Sequence, residues 1–148
     1  MKRVILFTLF GLLLASTALG QSLGTFSYLG MRLSMTKVQA TGSLDKWRNI
    51  SLRCNAFKDK DGVPTEMCDG QENELRLSLT FRNGTLVGIY ANDKYSPFGS
   101  FVYGVIKENG QPYKRTDTEA TWRIPHKEEL DVRLMKGEAT LFLTKVGF

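Results

Sequence analysis

The sequence predicts a single antiparallel all-β domain of about eight strands, arranged as a sandwich or a closed barrel behind an N-terminal signal peptide. Three observations carry this. Apolar and polar residues alternate with period two along most of the chain, which turns one face of each strand toward a core. Asn83-Gly84 and Lys136-Gly137 fall between such runs, and two-residue hairpins favour residues that accept positive φ. Only residues 125–130, "PHKEEL", read as a helical turn.

Residues 1–20, "MKRVILFTLFGLLLASTALG", begin with Lys2 and Arg3, run apolar from Val4 to Ala15 and end in small residues. That is the pattern of a secretory signal cleaved after Gly20, and its apolar run is shorter than the roughly 20 residues of a spanning helix. Of 148 residues, 128 then remain as one domain, 21–148. The expected locations are secreted or periplasmic, and no internal repeat is visible.

Strands are expected near 25–40, 47–57, 74–82, 85–91, 100–107, 113–124, 129–135 and 138–147. Leu29, Met31, Leu33 and Met35 alternate in the first, with phase slips after Tyr28 and near Lys37 that indicate bulges. Ile50, Leu52, Cys54 and Ala56 alternate in the second, and Leu75, Leu77, Leu79 and Phe81 in the third. A turn at Asn83-Gly84 sets Phe81 opposite Leu86 and Leu77 opposite Tyr90. Gly88, like Gly30 and Gly104, reads as a bulge or a close backbone approach. A turn at Lys136-Gly137 pairs Leu134 with Ala139, Val132 with Leu141 and Leu130 with Leu143, all apolar as a buried face requires. Asn109-Gly110 indicates a further hairpin, with Pro112 at an edge beyond it. Trp122, between Ala120 and Ile124 at period two, belongs to the core.

Charge excludes one partner class. Removing Lys2 and Arg3 from 20 basic residues leaves 18 against 15 acidic ones, a net charge of +3, and these are scattered rather than gathered in a patch. Nucleic acid is therefore not expected as a partner.

The densest chemistry lies in residues 53–70, "RCNAFKDKDGVPTEMCDG". Cys54 and Cys68 are too far apart for a Cys-x-x-Cys redox motif, and with one histidine in the chain they cannot complete a four-ligand zinc site. In an exported chain they form a disulfide, which closes the stretch as a pinned surface loop and contributes ~3 kcal/mol. Asp59-Lys60-Asp61-Gly62 resembles part of a calcium loop, but aligning Gly62 puts Phe57 and Cys68 where carboxylates belong. Asp59, Asp61, Glu66 and Asp69 remain as weak metal candidates, and no cofactor is expected.

No catalytic residue is assigned. His126 is the single histidine and has no activated nucleophile beside it, no Gly-x-Ser-x-Gly elbow occurs, and Glu128 and Glu129 are adjacent, so an extended chain points them apart. The expected function is recognition of a protein or glycan through loops. Tyr95 and Phe98 in the loop 91–101, with Trp47, are the binding candidates, because aromatic rings offer rigid contact area. A calycin-like barrel around a small apolar ligand and a small outer-membrane barrel are the alternatives. Asn49-Ile50-Ser51 and Asn83-Gly84-Thr85 match the N-glycosylation sequon.

Overall fold

The computed structural model describes residues 24–125 and 127–146. The signal peptide and His126 lie outside the described residues. The chain is mostly β. A hairpin of β1 (Ser27–Tyr28) and β2 (Met31–Arg32) leads into α1 (Lys37–Trp47), followed by the meander β3 (Arg53–Lys58), β4 (Pro64–Glu72), β5 (Leu75–Arg82) and β6 (Thr85–Asp93). Next come α2 (Phe98–Asn109) and a second meander, β7 (Lys114–Arg115), β8 (Glu119–Ile124), β9 (Glu128–Met135) and β10 (Glu138–Lys145).

The two meanders join into one antiparallel sheet of order β3-β4-β5-β6-β10-β9-β8-β7. The sheet is open, so the closed barrel is corrected. The sandwich is corrected as well, because the layer facing the sheet consists of α1, α2 and the β1–β2 hairpin. Both barrel alternatives required a closed ring, and here β3 and β7 end the sheet as edges.

The strand order reads as an α–β–β–β–β unit followed by its own repeat, with the last strands of the two units, β6 and β10, paired antiparallel. Such an arrangement has a pseudo-twofold axis normal to the sheet at the β6–β10 junction. The sequence shows no repeat, yet the topology is one.

Local chemistry explains each element. Thr36 caps α1: its hydroxyl accepts from the Gln39 N–H, and the Gln39 carboxamide accepts from the Thr36 N–H, a reciprocal capping box. The strand expected over 25–40 is therefore a short hairpin and the start of a helix. The strand expected over 100–107 is α2, and Asn109-Gly110 is its end: Gly110 (φ 75°) donates its N–H to the Ile106 carbonyl. Residues 53–70 are a hairpin rather than a long loop, with Cys54 and Cys68 directly opposite and disulfide-bonded. The helical turn expected at 125–130 gives way to β9, which begins at Glu128.

The hairpin turns hold: Asn83 and Gly84 have φ of 50° and 73°, and Lys136 and Gly137 of 52° and 85°. The three β9–β10 pairs form as expected. In β5–β6, Phe81 does face Leu86, but the register then shifts between Thr80 and Phe81. Val87 is the extra residue of a bulge, so Leu77 faces Ala91, and Ser78 faces Tyr90.

One core fills the space between sheet and helices. Leu75, Leu77, Leu79, Phe81, Leu130, Val132, Leu141 and Leu143 point to it from the sheet, Ala40 and Leu44 from α1, and Phe101, Val102 and Val105 from α2. Trp122, 2% exposed, lies in this core and donates its indole N–H to the Gly110 carbonyl. The pseudo-equivalent position in the first unit is Gly70, opposite Leu77 as Trp122 is opposite Leu130. Glycine is required there, because a Cβ would sit 2.5 Å from Ile50 Cγ2, where the chain crosses on its way to β3.

Candidate functional site

Helices and hairpin cover one face of the sheet; the other carries no packed element of the described residues. Side chains alternate across a strand, so residues between core positions project onto this open face. One row runs in register across all eight strands: Arg53, Asp69, Ser78, Tyr90, Phe142, Asp131, Thr121, Lys114. Its centre is aromatic and its ends are basic. Tyr90 and Phe142 pair across the β6–β10 junction, edge to face at 5.3 Å between ring centres, so the pseudo-twofold axis passes through them. Tyr90 is 38% exposed.

The Val87 bulge is what delivers Tyr90. A one-residue slip turns a strand's side chains to the opposite face, so without it the ring would enter the core, as the uninterrupted register implies.

The halves of this face differ electrostatically. On the second unit, Asp131 accepts the Thr121 hydroxyl at 2.6 Å and pairs with Arg133; Glu119 takes Lys114 at 2.6 Å, and Glu129 takes Arg123. Its charges are internally neutralised. Two buried polar side chains near the junction also satisfy each other, the Asn92 amide donating to Thr140 Oγ1 at 3.1 Å. On the first unit, Arg53 and Arg76 carry no ion pair among the described residues. They line an open recess of about 610 Å³ together with Asp69 and Tyr90.

The residues predicted from sequence are dispersed. Tyr95 lies exposed in the short turn after β6, with the Lys94 ammonium 5.5 Å from its ring. Phe98 opens α2 and packs partly against the core. Trp47 ends α1 and is 60% exposed on the helix side of the molecule. The loop 91–101 is largely consumed by β6 and α2. The weak metal candidates do not converge: Glu66 pairs with Lys37, Asp69 lies on the open face, and Asp59 and Asp61 both pair with Arg82. Cys54, Cys68 and Glu66 cluster closely enough to resemble a ligand set, but the two sulfurs are spent in the disulfide.

Asp59 instead builds the turn between β3 and β4. Burial pushes its carboxyl up, but the N–H groups of Val63 and Asp61 and the Arg82 guanidinium outweigh that and hold it below the usual carboxylate range.

Sequence reasoning missed Tyr90, Phe142, Arg53 and Arg76 as surface groups. Gly88, read as a bulge or a close backbone approach, is itself paired with Thr80 and adjoins the bulged Val87, while Gly104, read the same way, lies in α2.

No protein-family model matches the chain, and neither a curated protein nor a solved structure matches it.

Proposed function

We propose that the chain is an exported, disulfide-stapled, non-catalytic module that binds a protein partner on the open face of its sheet, the partner presenting a protruding acidic segment. The observation that carries this reading is the eight-strand row with an aromatic pair at its centre, Tyr90 exposed and Phe142 half-buried beneath it. Aromatic and arginine side chains dominate the central contacts of protein interfaces. Eight strands span about 34 Å and eight residues of strand about 26 Å. Allowing for the short β7, the face offers on the order of 700 Å², close to the roughly 800 Å² each partner contributes to a stable complex. Charge complementarity favours an acidic segment, since Arg53 and Arg76 beside Tyr90 make no ion pair among the described residues and outnumber the one carboxylate in their recess, Asp69, while the second unit is neutralised. Export is supported by the pattern of residues 1–20 and by the disulfide, a bond kept in oxidising compartments.

The test is affinity capture from the extracytoplasmic fraction of the source with three variants of the mature chain. Tyr90→Ala and the pair Arg53→Glu with Arg76→Glu should each weaken capture of the same partner, Tyr90→Ala by about 2 kcal/mol or roughly thirtyfold. Trp47→Ala, on the opposite side, should leave capture unchanged. A partner held equally by all three variants would remove the open face from the mechanism.

A further inference from the structure

On the helix side, a groove of about 450 Å³ runs between the C-terminal end of α1, the β1–β2 hairpin and α2. Its size falls within the roughly 300–1,000 Å³ of clefts that take small ligands. The floor is apolar, built from Leu75, Phe101 and Val105, and the rim carries Arg48, Asp93 and Lys107.

Two aromatic side chains give the groove its chemistry. Tyr28 is only 7% exposed, its ring tilted against Phe101 at 6.0 Å, yet its hydroxyl makes no hydrogen bond with any described residue and lines the groove. The ring is buried but no buried side-chain polar atom among the described residues lacks a partner, so the hydroxyl itself stays open to solvent. Burial, then the charges of Asp93 and Glu108, push its pKa up, with Arg48 opposing, so the group stays a neutral donor and acceptor. Trp47 stands at the mouth. A Cβ at Gly30 would lie 2.9 Å from its indole Nε1, so the glycine at that turn lets the ring lie close against the hairpin. One edge of the indole thus abuts the hairpin while the residue is 60% exposed.

We propose that this groove binds a neutral saccharide, with the apolar face of a sugar ring on Trp47 and a ring hydroxyl on the Tyr28 phenol. A platform that is flat and apolar beside a rim of donors and acceptors matches the two-sided polarity of a pyranose. Arg48 is tied to Glu72 at 3.6 Å and Glu108 is engaged by Ser27, Leu29 and Gly30, which leaves Lys107 and Asp93, one charge of each sign, on the rim. Asp93 is oriented by the Ser96 hydroxyl at 2.7 Å and by the N–H groups of Tyr95 and Ser96, leaving it a positioned acceptor. This site lies on the other side of the molecule from the open face and does not depend on the protein-binding reading.

The mature chain has two tryptophans, and Trp122 is buried away from the groove, so its emission is a constant background and a ligand-dependent change reports on Trp47. Titration with glucose, galactose, N-acetylglucosamine, maltose and cellobiose, followed by fluorescence and by amide and indole NMR shifts, should give a saturable response at Trp47 and the β1–β2 turn. Trp47→Ala should abolish binding, and Tyr28→Phe, which keeps the ring and its packing, should weaken it about five- to tenfold. Tyr113→Ala, at an exposed ring outside the groove, should have no effect. Three results would each overturn the proposal: no saturable response to any of these sugars, a response undiminished by Tyr28→Phe, or tighter binding of glucuronate than of glucose. Because Tyr28→Phe preserves the core, the test stands even if Trp47→Ala fails to fold.

Discussion

At the scale of single residues, the β3–β4 turn shows how a stretch that resembles a metal loop is used instead for self-support. Asp59 accepts from two backbone N–H groups at 2.9 Å and from Arg82 at 2.7 Å, so its carboxylate serves the turn itself. Its lowered pKa has a definite consequence for stability. A carboxyl whose folded value lies below its ordinary 3.8 contributes above that pH and loses the contribution as pH falls through the lowered value. Tm should therefore fall less steeply below pH 3.8 in Asp59→Asn than in the parent, and Asp59→Asn should already be less stable at neutral pH. Parallel acid curves would show that the Asp59 contacts do not hold the turn. Asp61 and Gly62 are residue types that suit a tight reversal, a local property legible in the sequence, whereas Arg82 arriving from β5 depends on pairing and is not.

Among the secondary-structure elements, the two helices were the main departures from expectation, and their residues explain why. In α2, Phe101 and Val105 are four apart, a spacing that satisfies both a two-residue and a 3.6-residue period, and only Val102 distinguishes them. α1 buries just Ala40 and Leu44, too few for a visible stripe; its signal was the capping pair Thr36 and Gln39, a terminus motif rather than a periodicity. The hairpins at Asn83-Gly84 and Lys136-Gly137 were readable because turn chemistry and apolar pairing coincide there. The open-face row was not, because it rests on the β6–β10 pairing, between strands separated by α2 and three further strands. The β1–β2 hairpin depends on side chains standing in for a strand: Asn109 accepts the Ser27 N–H at 2.7 Å and donates to the Ser27 carbonyl at 2.8 Å, while the Glu108 carboxylate receives the Ser27 hydroxyl at 3.1 Å. Asn109→Ala should cost about 1–3 kcal/mol by leaving those backbone groups unpaired, and hydrogen exchange at Ser27 should rise more than in the sheet. Uniform acceleration across the protein would point to a global loss rather than to this clamp.

For the molecule as a whole, the pseudo-twofold arrangement implies that each unit is incomplete alone. The first unit, cut after Lys94, would leave β6 as a bare edge with Ile89 and Ala91 deprived of Leu143 and Leu141. Residues 24–94 should therefore form a dimer, β6 pairing with β6 about Tyr90, with sedimentation giving twice the chain mass; a folded monomer would show that the junction contributes little. The pseudosymmetry also explains how equivalent positions diverged in role, Gly70 admitting a crossing chain where Trp122 fills the core, and Arg53 left with no ion pair among the described residues where Lys114 is tied to Glu119.

The two ends of the sheet bear on how the protein behaves in a crowded compartment. β7 is only two residues long and both are cationic, and β3 is locked to its neighbour by a covalent bond. Short, charged or tethered margins make poor templates for a foreign strand, so concentrated preparations should resist fibril formation even though half of each strand is oily.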